Sequence, residues 1–553
     1  MAIASYLLKA YGLKTSFFER ATGNPCESQK RVLFEILSRN KNTAYGKEHN
    51  FTDCRSVEDY QRNVPLNDYE SLRPYIERMI GGKNDILTRD RVILFGVTSG
   101  TTGKPKHIPV TEFSRRKKRE VMDIWTYFTL RDHPDVLRGK VLTIVSPEIE
   151  GYTTRGIPFG AESGHAYKNM PEAVKNIYAL PYEVFEIKDY DAKYYCILRL
   201  AVEQNVTVIA ALNPSTILLL CQRLERIKDR IIEDIQEGSL DNELSIRYDI
   251  RKKIEKILHP NPKRADELRR LMEKREGRLV PRDCWPDLRL IVCWKGGTVG
   301  VYMSHFKEYF NETIKIRDFG YLSSEARASV PVSDEGCAGA LAITSNFYEF
   351  IPLDDIDKGR KDILLAHQLK EGEEYYVVLT TYGGLYRYNI DDIIKVIGFY
   401  NATPLIEFKQ KGSVVSSVTG EKVYESHIKD AVRGAADMIG IGLQFFSAFV
   451  EWEPQPRYAF LVELMAETSQ DAKLEFLRNI ESQLLKINVE YETKRRSQRL
   501  AHPVLKVVPK GTFENHRSKM VGEGRHDGQF KMPILTSDIN FHEKFNIIEE
   551  IKI

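Results

Sequence analysis

The sequence of 553 residues is poor in cysteine and lacks paired metal-ligand motifs. Its seven cysteines form no Cys-x-x-Cys pair and have no matching Cys-x-x-His, so neither a zinc site nor a full disulfide framework is predicted. We expect reduced, mostly buried thiols in a reducing compartment, and therefore a cytoplasmic protein. Because the first twelve residues lack a charged region and a long apolar core, no signal peptide is expected.

An excess of charge of one sign is also lacking. The formal net charge is only +3, which is too small to indicate nucleic acid or a membrane as a partner. The most apolar window, residues 206–221, is interrupted by Asn213-Pro214-Ser215 and is too short and too polar to span a bilayer. The clearest basic run is Arg115-Arg116-Lys117-Lys118-Arg119. We interpret this run as a solvated helix start, with a contact to a phosphate or an acyl carboxylate as the alternative.

Three common catalytic motifs are missing. The nearest approach to Gly-x-Ser-x-Gly is Gly160-Ala161-Glu162-Ser163-Gly164, whose spacing is wrong for the nucleophile of a serine hydrolase. Neither His-Glu-x-x-His nor Gly-x-Gly-x-x-Gly occurs, which argues against a zinc peptidase and a dinucleotide-binding enzyme.

A loop rich in hydroxyl groups and glycine is the most informative segment present. The apolar run at residues 92–95 predicts a buried strand, and the sequence Val-Thr-Ser-Gly-Thr-Thr-Gly-Lys-Pro-Lys follows from Val97 to Lys106. Glycines let backbone N–H groups approach a polyphosphate, and hydroxyls can donate to its oxygens. The spacing differs from a Walker A loop, since Pro105 follows Lys104. A cluster of this composition is more often an ordinary surface loop, so its weight depends on the segments that follow it.

The length and the alternation of patterns predict an α/β fold. A chain of 553 residues is too long for one hydrophobic core, and its 42% hydrophobic and 29% charged residues are ordinary for a globular enzyme. Apolar runs alternate with amphipathic stretches, which predicts a large domain with buried mixed β-sheets flanked by helices. The predicted strands span residues 92–95, 140–146, 206–212, 288–294, 340–344 and 375–379. A helix is predicted over 216–236, and exposed helices around a turn, an insertion or lid edge, over 241–278.

The pattern changes after residue 392. Segments containing glycine at residues 398–401 and 409–413 bracket a boundary. We predict a large N-terminal domain over residues 1–408 and a small, mobile C-terminal α+β domain over residues 409–553. The predicted elements of the small domain are helices over 425–438 and 471–487 and strands over 445–451 and 458–463.

Four further segments follow the hydroxyl-rich loop in a fixed order. They are Gly296-Gly297, Tyr321-Leu322-Ser323-Ser324-Glu325, Leu385-Tyr386-Arg387-Tyr388-Asn389-Ile390-Asp391-Asp392 and Gly528-Gln529-Phe530-Lys531-Met532-Pro533. With the loop, they resemble the signatures of the adenylate-forming superfamily of acyl-CoA synthetases, luciferases and peptide-synthetase adenylation domains. The wording of these segments, together with Gly398-Phe399-Tyr400-Asn401 and residues 156–160, 488–492 and 511–513, resembles one branch over roughly residues 15–535. That branch is the acyl acid amido synthetases, the auxin-responsive Gretchen Hagen family, and we expect a bacterial-type member.

The resemblance implies a two-step ligase. A carboxylic acid reacts with ATP to give an acyl-adenylate and pyrophosphate, and an amine, expected to be an amino acid, then attacks the adenylate to form an amide. The alternative is a thioester synthetase that passes the acyl group to CoA or a carrier protein, and a non-enzymatic nucleotide-binding relative remains a third interpretation. Adenylation spreads negative charge, so it requires donors, a cation and Mg²⁺. The expected partners are small molecules, and the expected oligomeric state is a monomer.

The resemblance also implies residue roles. The expected phosphate contacts are Thr98, Ser99, Gly100, Thr101, Thr102, Gly103, Lys104, Ser323 and Ser324. Gly297 and Tyr321 are expected at the adenine, Arg387 and Asp392 at the nucleotide, with Asp392 accepting from the ribose hydroxyls. Glu325 is expected to bind Mg²⁺, and Lys531 to contact the α-phosphate and the attacking carboxylate. Asp391 stands where the family usually has glycine, and Leu322 where it has a small residue. The proposed acyl-pocket residues Trp125, Phe128 and Phe159 have core packing as their alternative role.

Overall fold

The computed structural model describes residues 2–98, 106–296, 303, 305–353, 363–412, 415–452, 455–513, 515–516, 533–536 and 538–553. These residues form two units, one of Met1–Val97 with His107–Gln410 and one of Thr98–Lys106 with Lys411–Ile553. In the described residues, no helix has the length and hydropathy that crossing a bilayer requires.

The first unit contains fourteen described α-helices. They are α1 (Ala2–Thr22), α2 (Pro25–Asn40), α3 (Ala44–Glu48), α4 (Val57–Asn63), α5 (Tyr69–Ile80), α6 (Glu112–Asp132), α7 (Glu162–Lys168), α8 (Glu172–Lys175), α9 (Tyr190–Ala201), α10 (Pro214–Glu237), α11 (Tyr248–Glu255), α12 (Pro262–Glu273), α13 (Pro281–Cys284) and α14 (Phe306–Tyr309). Local chemistry sets their ends. Helix α10 begins with Asn213 accepting from the Ser215 N–H and ends before Gly238, which adopts a φ of +70°.

Three sheets order the described strands that begin before residue 411. The first has the order β2-β1-β5-β4, with β1 (Val92–Thr98), β2 (Lys106–Thr111), β4 (Gly151–Tyr152) and β5 (Pro158–Gly160). The second is parallel, in the order β3-β6-β7-β8, with β3 (Lys140–Thr143), β6 (Val206–Ala210), β7 (Leu290–Val292) and β8 (Lys315–Arg317). Every residue of β7 is buried, as expected for a parallel strand covered on both faces.

The third sheet has seven strands in the order β12-β11-β13-β14-β15-β10-β9. These are β9 (Ser329–Val330), β10 (Gly339–Leu341), β11 (Phe347–Pro352), β12 (Leu364–Leu365), β13 (Glu374–Thr380), β14 (Tyr388–Tyr400) and β15 (Thr403–Lys411). The pairs of β11 with β12 and β13, and of β13 with β14, are antiparallel. The turn before β9 and the start of β14 carry two of the signature segments, so this sheet positions much of the candidate site.

A buried ion pair anchors the segment before β14. Arg387, 4% exposed, donates through Nε to the carboxylate of Glu349 on β11 at 3.1 and 3.2 Å, and Glu349 is fully buried. The Nη1 group of Arg387 donates to the carbonyls of Gln61 and Val64 at 2.8 Å. Arg387 therefore joins β11 to the segment around α4, and its predicted nucleotide contact stays a prediction.

The second unit is a small α+β structure. Its described elements are β16 (Val415–Ser416), β17 (Val423–Tyr424), α15 (Glu425–Ile439), β18 (Leu443–Glu451), β19 (Arg457–Leu464), α16 (Gln470–Ile487), α17 (Val489–Arg496), β20 (Val504–Val508) and β21 (Glu549–Lys552). The sheet order is β18-β19-β20-β21, with the pair β19–β20 parallel and its other pairs antiparallel. Apolar residues of α15, α16 and the sheet share one core, which includes Ile428, Phe460 and Leu477.

The structure confirms the predicted fold class. Each predicted strand and helix overlaps an observed one, and the charged stretch at 241–278 holds α11 and α12 around the predicted turn. The described cysteines are free, and five of the seven are buried, as predicted. The solvated helix start is wrong for Lys118, because α6 begins at Glu112 and Lys118 is only 9% exposed.

The buried pair of Arg387 and Glu349 predicts a large loss of stability in one variant. Glu349→Leu leaves the Arg387 guanidinium buried without its carboxylate, so the free energy of unfolding in denaturant should fall by about 3–5 kcal/mol. The double variant Glu349→Leu with Arg387→Met should recover most of that loss. Glu371→Leu, at an exposed position, is the matched control. A double variant as unstable as Glu349→Leu would contradict the electrostatic explanation.

Candidate functional site

A tight turn between Tyr321 and Arg327 carries the signature segment Tyr321-Leu322-Ser323-Ser324-Glu325. Leu322 pairs with Arg327 as an antiparallel bridge, and Ser323 N–H donates to the Ala326 carbonyl at 2.8 Å. Ser324 and Glu325 therefore occupy the tip of the turn. A Cβ atom on Gly96 would lie 3.8 Å from Ser324 Cβ, which brings the end of β1 next to this tip.

A hydrogen bond joins two of the predicted nucleotide residues. The Tyr321 hydroxyl donates to Asp392 Oδ2 at 2.6 Å, and the Tyr321 ring stacks on Phe408 with centroids 5.7 Å apart. Burial and the adjacent Asp392 carboxylate raise the pKa of Tyr321 well above its usual value, so the phenol stays a neutral donor. The stacking of Tyr321 on adenine stays a prediction.

Glu325 offers an open carboxylate at the tip of the turn. It is half-buried, and it makes no hydrogen bond or ion pair in the part of the chain that the structure describes. A carboxylate with free lone pairs fits Mg²⁺, which takes one or two carboxylates and completes its shell with phosphate oxygens and water. The described residues contain no group of three metal-ligating side chains, so any metal here would depend on the nucleotide for its remaining ligands.

Asp391 adopts the backbone conformation for which glycine is favoured. Its φ is +60°, and its N–H donates to Asn389 Oδ1 at 2.9 Å. A non-glycine residue in the left-handed region costs about 1–2 kcal/mol, and Asp or Asn with local hydrogen bonds is the usual exception. Asp391 thus adopts a conformation that glycine takes without strain.

Lys118 links α6 to the turn. Its Nζ donates to the Ser324 carbonyl and to Glu162 Oε1, both at 2.7 Å. These contacts differ from both predictions for the basic run, a solvated helix start and a contact to a ligand. Lys118 instead holds the tip of the turn against α6 and the first residue of α7.

Arg327 lies at the base of the same turn. It is half-buried, and its Nη1 contacts Met122 Sδ on α6. Burial lowers the pKa of Arg327, and Glu162 is the carboxylate that opposes this shift.

The three predicted acyl-pocket residues occupy different environments. Trp125 donates through Nε1 to the Asp318 carbonyl at 2.9 Å and stacks on Phe319, and Phe128 is fully buried. Phe159 on β5 is half-buried, with its ring 6.1 Å from that of His107. The burial of Phe128 favours core packing, and the substrate contacts of all three stay predictions. Asp318, three residues before Tyr321, has its pKa raised by burial to about 6.

Thr98, from the hydroxyl-rich loop, has its contacts in the second unit. Its Oγ1 donates to Glu490 Oε1 at 3.0 Å and accepts from Lys422 Nζ at 3.2 Å. On α17, Lys494 lies one turn after Glu490, and burial followed by the charge of Arg499 lowers the pKa of Lys494 to about 7. Ser99, Gly100, Thr101, Thr102, Gly103, Lys104, Gly297 and Lys531 lie outside the described residues.

Comparison with known proteins decides the family. Residues 14–315 match the N-terminal domain of the GH3 family, residues 339–411 match its central domain and residues 426–540 match its C-terminal domain. The chain belongs to the GH3 family. This finding confirms the resemblance to the Gretchen Hagen family.

Similar GH3 proteins include named amido synthetases. A jasmonoyl–L-amino acid synthetase of Nicotiana attenuata is 27% identical, over 93% of this chain and 92% of the relative. An indole-3-acetic acid-amido synthetase of Arabidopsis thaliana is 25% identical, over 94% of each chain. The solved structure of an acyl acid amido synthetase in complex with 2,4-DB has a TM-score of 0.67 at 23% identity, over 98% of this chain and 97% of the other, which shows a shared fold.

Sequence reasoning missed four polar residues of this GH3 chain: Lys118, Arg327, Lys422 and Glu490. Lys118 stood in a basic run, and Glu490 stood in the family segment 488–492, but neither segment indicated a partner. Arg327 lies two residues after Glu325, so its closeness to this signature segment was the one sequence feature that could have indicated it.

Substitutions of the two adjacent acids, Asp391 and Asp392, should differ in their effects on ATP binding and on stability. Asp392→Asn, which keeps the volume and removes the charge, should weaken ATP binding by about 1–3 kcal/mol in calorimetry. Asp391→Ala should change ATP affinity less but lower the unfolding free energy by about 1 kcal/mol, because alanine resists a φ of +60°. Asp391→Gly is its control and should restore the stability. A larger ATP defect in Asp391→Ala than in Asp392→Asn would reverse the assignment of the ribose acid.

Proposed function

We propose that this GH3 chain is an ATP-dependent ligase that activates a carboxylic acid as its acyl-adenylate and transfers the acyl group to the amine of an amino acid. One observation supports the proposal: the hydrogen bond from Tyr321 joins Asp392, the proposed ribose-binding acid, to the turn that carries Glu325, whose carboxylate makes no hydrogen bond or ion pair among the described residues. Two similar proteins are named an indole-3-acetic acid-amido synthetase and a jasmonoyl–L-amino acid synthetase. These names support an amine acceptor over CoA.

The roles of the protein groups follow from the charge of the reaction. Attack of the acid on the α-phosphorus forms an acyl–phosphate bond and expels pyrophosphate, so charge must be neutralised at both leaving and attacking oxygens. Asp392 accepts from the ribose hydroxyls and positions the nucleotide. Ser323, Ser324 and the segment from Thr98 to Lys104 donate to phosphate oxygens. Bound Mg²⁺, held by Glu325 and the phosphates, would supply further positive charge.

Lys118 is a positioning residue in this proposal. Its hydrogen bond to the Ser324 carbonyl fixes the tip of the turn. Its ion pair with Glu162 uses its charge, so we assign it no contact with the phosphates. The buried, free cysteines are consistent with a reducing compartment, and we include a cytoplasmic location in the proposal.

An exchange assay tests the proposed function. Carboxylic acids are screened for acid-dependent ATP–pyrophosphate exchange, and amino acids or CoA are then added with the best acid. Mass spectrometry should identify an amide and AMP. A thioester in place of the amide would make the chain an acyl-CoA synthetase. If the folded protein showed no ATP–pyrophosphate exchange with any of the acids, the adenylation step would be contradicted.

Lys531 should act in adenylation and not in amide transfer. A cation that contacts the reacting groups in one transition state affects the rate of that step more than ATP binding. Lys531→Ala should therefore slow acyl-adenylate formation by about a hundredfold or more, measured in single turnover. The same variant should pass a presynthesised acyl-adenylate to an amino acid at the wild-type rate. Lys552→Ala, an exposed lysine near the end of the chain, is the control. Equal loss in both half-reactions would make Lys531 structural or shared.

A further inference from the structure

Among the described residues, Arg327 has no ion pair, unlike four buried arginines of the first unit. In the first unit, Arg199 pairs with Glu203, Arg223 with Asp191 at 2.8 Å, and Arg317 with Asp132 and Asp334 at 2.8 and 2.9 Å, besides Arg387 with Glu349. Arg327 makes no ion pair in the described ranges of the chain, and its one polar contact is the thioether of Met122. A thioether is a weak acceptor and carries no charge, so the guanidinium keeps most of its donors for another group.

Glu162, the carboxylate that acts on Arg327 electrostatically, is already paired with another cation. Glu162 Oε1 accepts from Lys118 Nζ at 2.7 Å, and that ammonium also donates to the Ser324 carbonyl. A half-buried guanidinium without an ion pair keeps N–H groups available to water or to an anionic ligand. The arrangement therefore prepares a fork of N–H donors for an anionic ligand.

Arg327 contacts α6, the helix that carries two of the three predicted acyl-pocket residues, Trp125 and Phe128. Its contact residue Met122 lies one helical turn before Trp125 on α6, the helix to which the acyl pocket is assigned. Ser323, Ser324 and Glu325, which are assigned to the phosphates and the metal, lie at the tip of the turn, and Arg327 lies at its base.

We propose that Arg327 binds a second carboxylate of the acyl substrate, so that the preferred acid is a dicarboxylic acid activated at its other end. The inference rests on the proposed function, and it narrows the substrate class. The reacting carboxylate is a poor ligand for this residue. A fork that holds both of its oxygens withdraws charge from the attacking oxygen, and it is left without its anion once the adenylate forms. A second carboxylate stays charged through both steps.

Paired acids test the inference. Straight-chain dicarboxylic acids and their monomethyl esters, which differ by one charge, are compared in ATP–pyrophosphate exchange. The wild type should prefer a diacid over its ester by about 10- to 100-fold in kcat/KM. Arg327→Met, which keeps the length of the side chain without charge, should abolish this preference and leave the KM for ATP within about twofold. Arg327→Lys should retain part of the preference, because it keeps the charge but loses the fork.

Arg289→Met, the same change at an exposed arginine with 61% side-chain exposure, is the matched control and should behave as the wild type. Three results would overturn the inference: no preference in the wild type, an equal loss for diacid and ester in Arg327→Met, or a raised KM for ATP in that variant. The second result would assign Arg327 to the reacting carboxylate or to folding, and the third would assign it to the nucleotide.

Calorimetric titration of the same diacids, with ATP omitted, separates this inference from the proposed function. Arg327-dependent binding without any exchange would contradict adenylation and support the diacid site. The opposite outcome is exchange and amide formation with monoacids, unchanged in Arg327→Met, and no binding of diacids. That outcome would contradict the diacid site and support the ligase.

Discussion

The hydrogen bond between Tyr321 and Asp392 is the contact on which the candidate site depends. It joins residues 71 positions apart, and it fixes the turn that carries Glu325 against the start of β14. Because the phenol is a neutral donor with its pKa raised by burial, it holds one oxygen of the Asp392 side chain in a fixed orientation. Stacking on Phe408 limits the rotation of the Tyr321 ring. The site is therefore ordered by the protein before a nucleotide arrives, which reduces the cost of binding.

The charges around this bond are matched one by one, and the exceptions mark where ligands are needed. Arg387 forms an ion pair with Glu349 and donates to two carbonyls, and Lys118 forms an ion pair with Glu162 and donates to the Ser324 carbonyl. Glu325 and Arg327, two residues apart on one turn, have no oppositely charged partner among the described residues. An open carboxylate suits a metal bound to phosphates, whereas an open guanidinium suits a carboxylate. One short segment can thus contribute to both the nucleotide half and the acid half of the site.

Most of the fold could be predicted from the sequence because periodicity and caps are local. Helix α10 was readable from its apolar spacing, and the structure places its caps at Asn213 and Gly238. Pairing between distant charges was not readable, because no local pattern states that Arg387 meets Glu349 or that Lys118 meets Glu162. The basic run misled for that reason, since a charged residue on a helix is buried only when a partner from another element neutralises it. Of the predicted site residues, Tyr321 and Asp392 meet directly, whereas most of the phosphate loop, Gly297 and Lys531 keep roles derived from resemblance alone.

The two departures from the family signatures have different consequences. Asp391 stands where the family usually has glycine, and it takes a φ of +60°, which glycine favours, while Asn389 accepts its N–H. Leu322 replaces a small residue, and its backbone pairs with Arg327 at the base of the turn. The first departure leaves the hydrogen bond between Tyr321 and Asp392 in place, which argues against a decayed, non-enzymatic relative. The second lies in the turn that carries Arg327, the residue proposed to bind a second carboxylate. The two departures therefore lie in the segments to which the nucleotide and the acid are proposed to bind, and neither removes a charged residue of the proposed site.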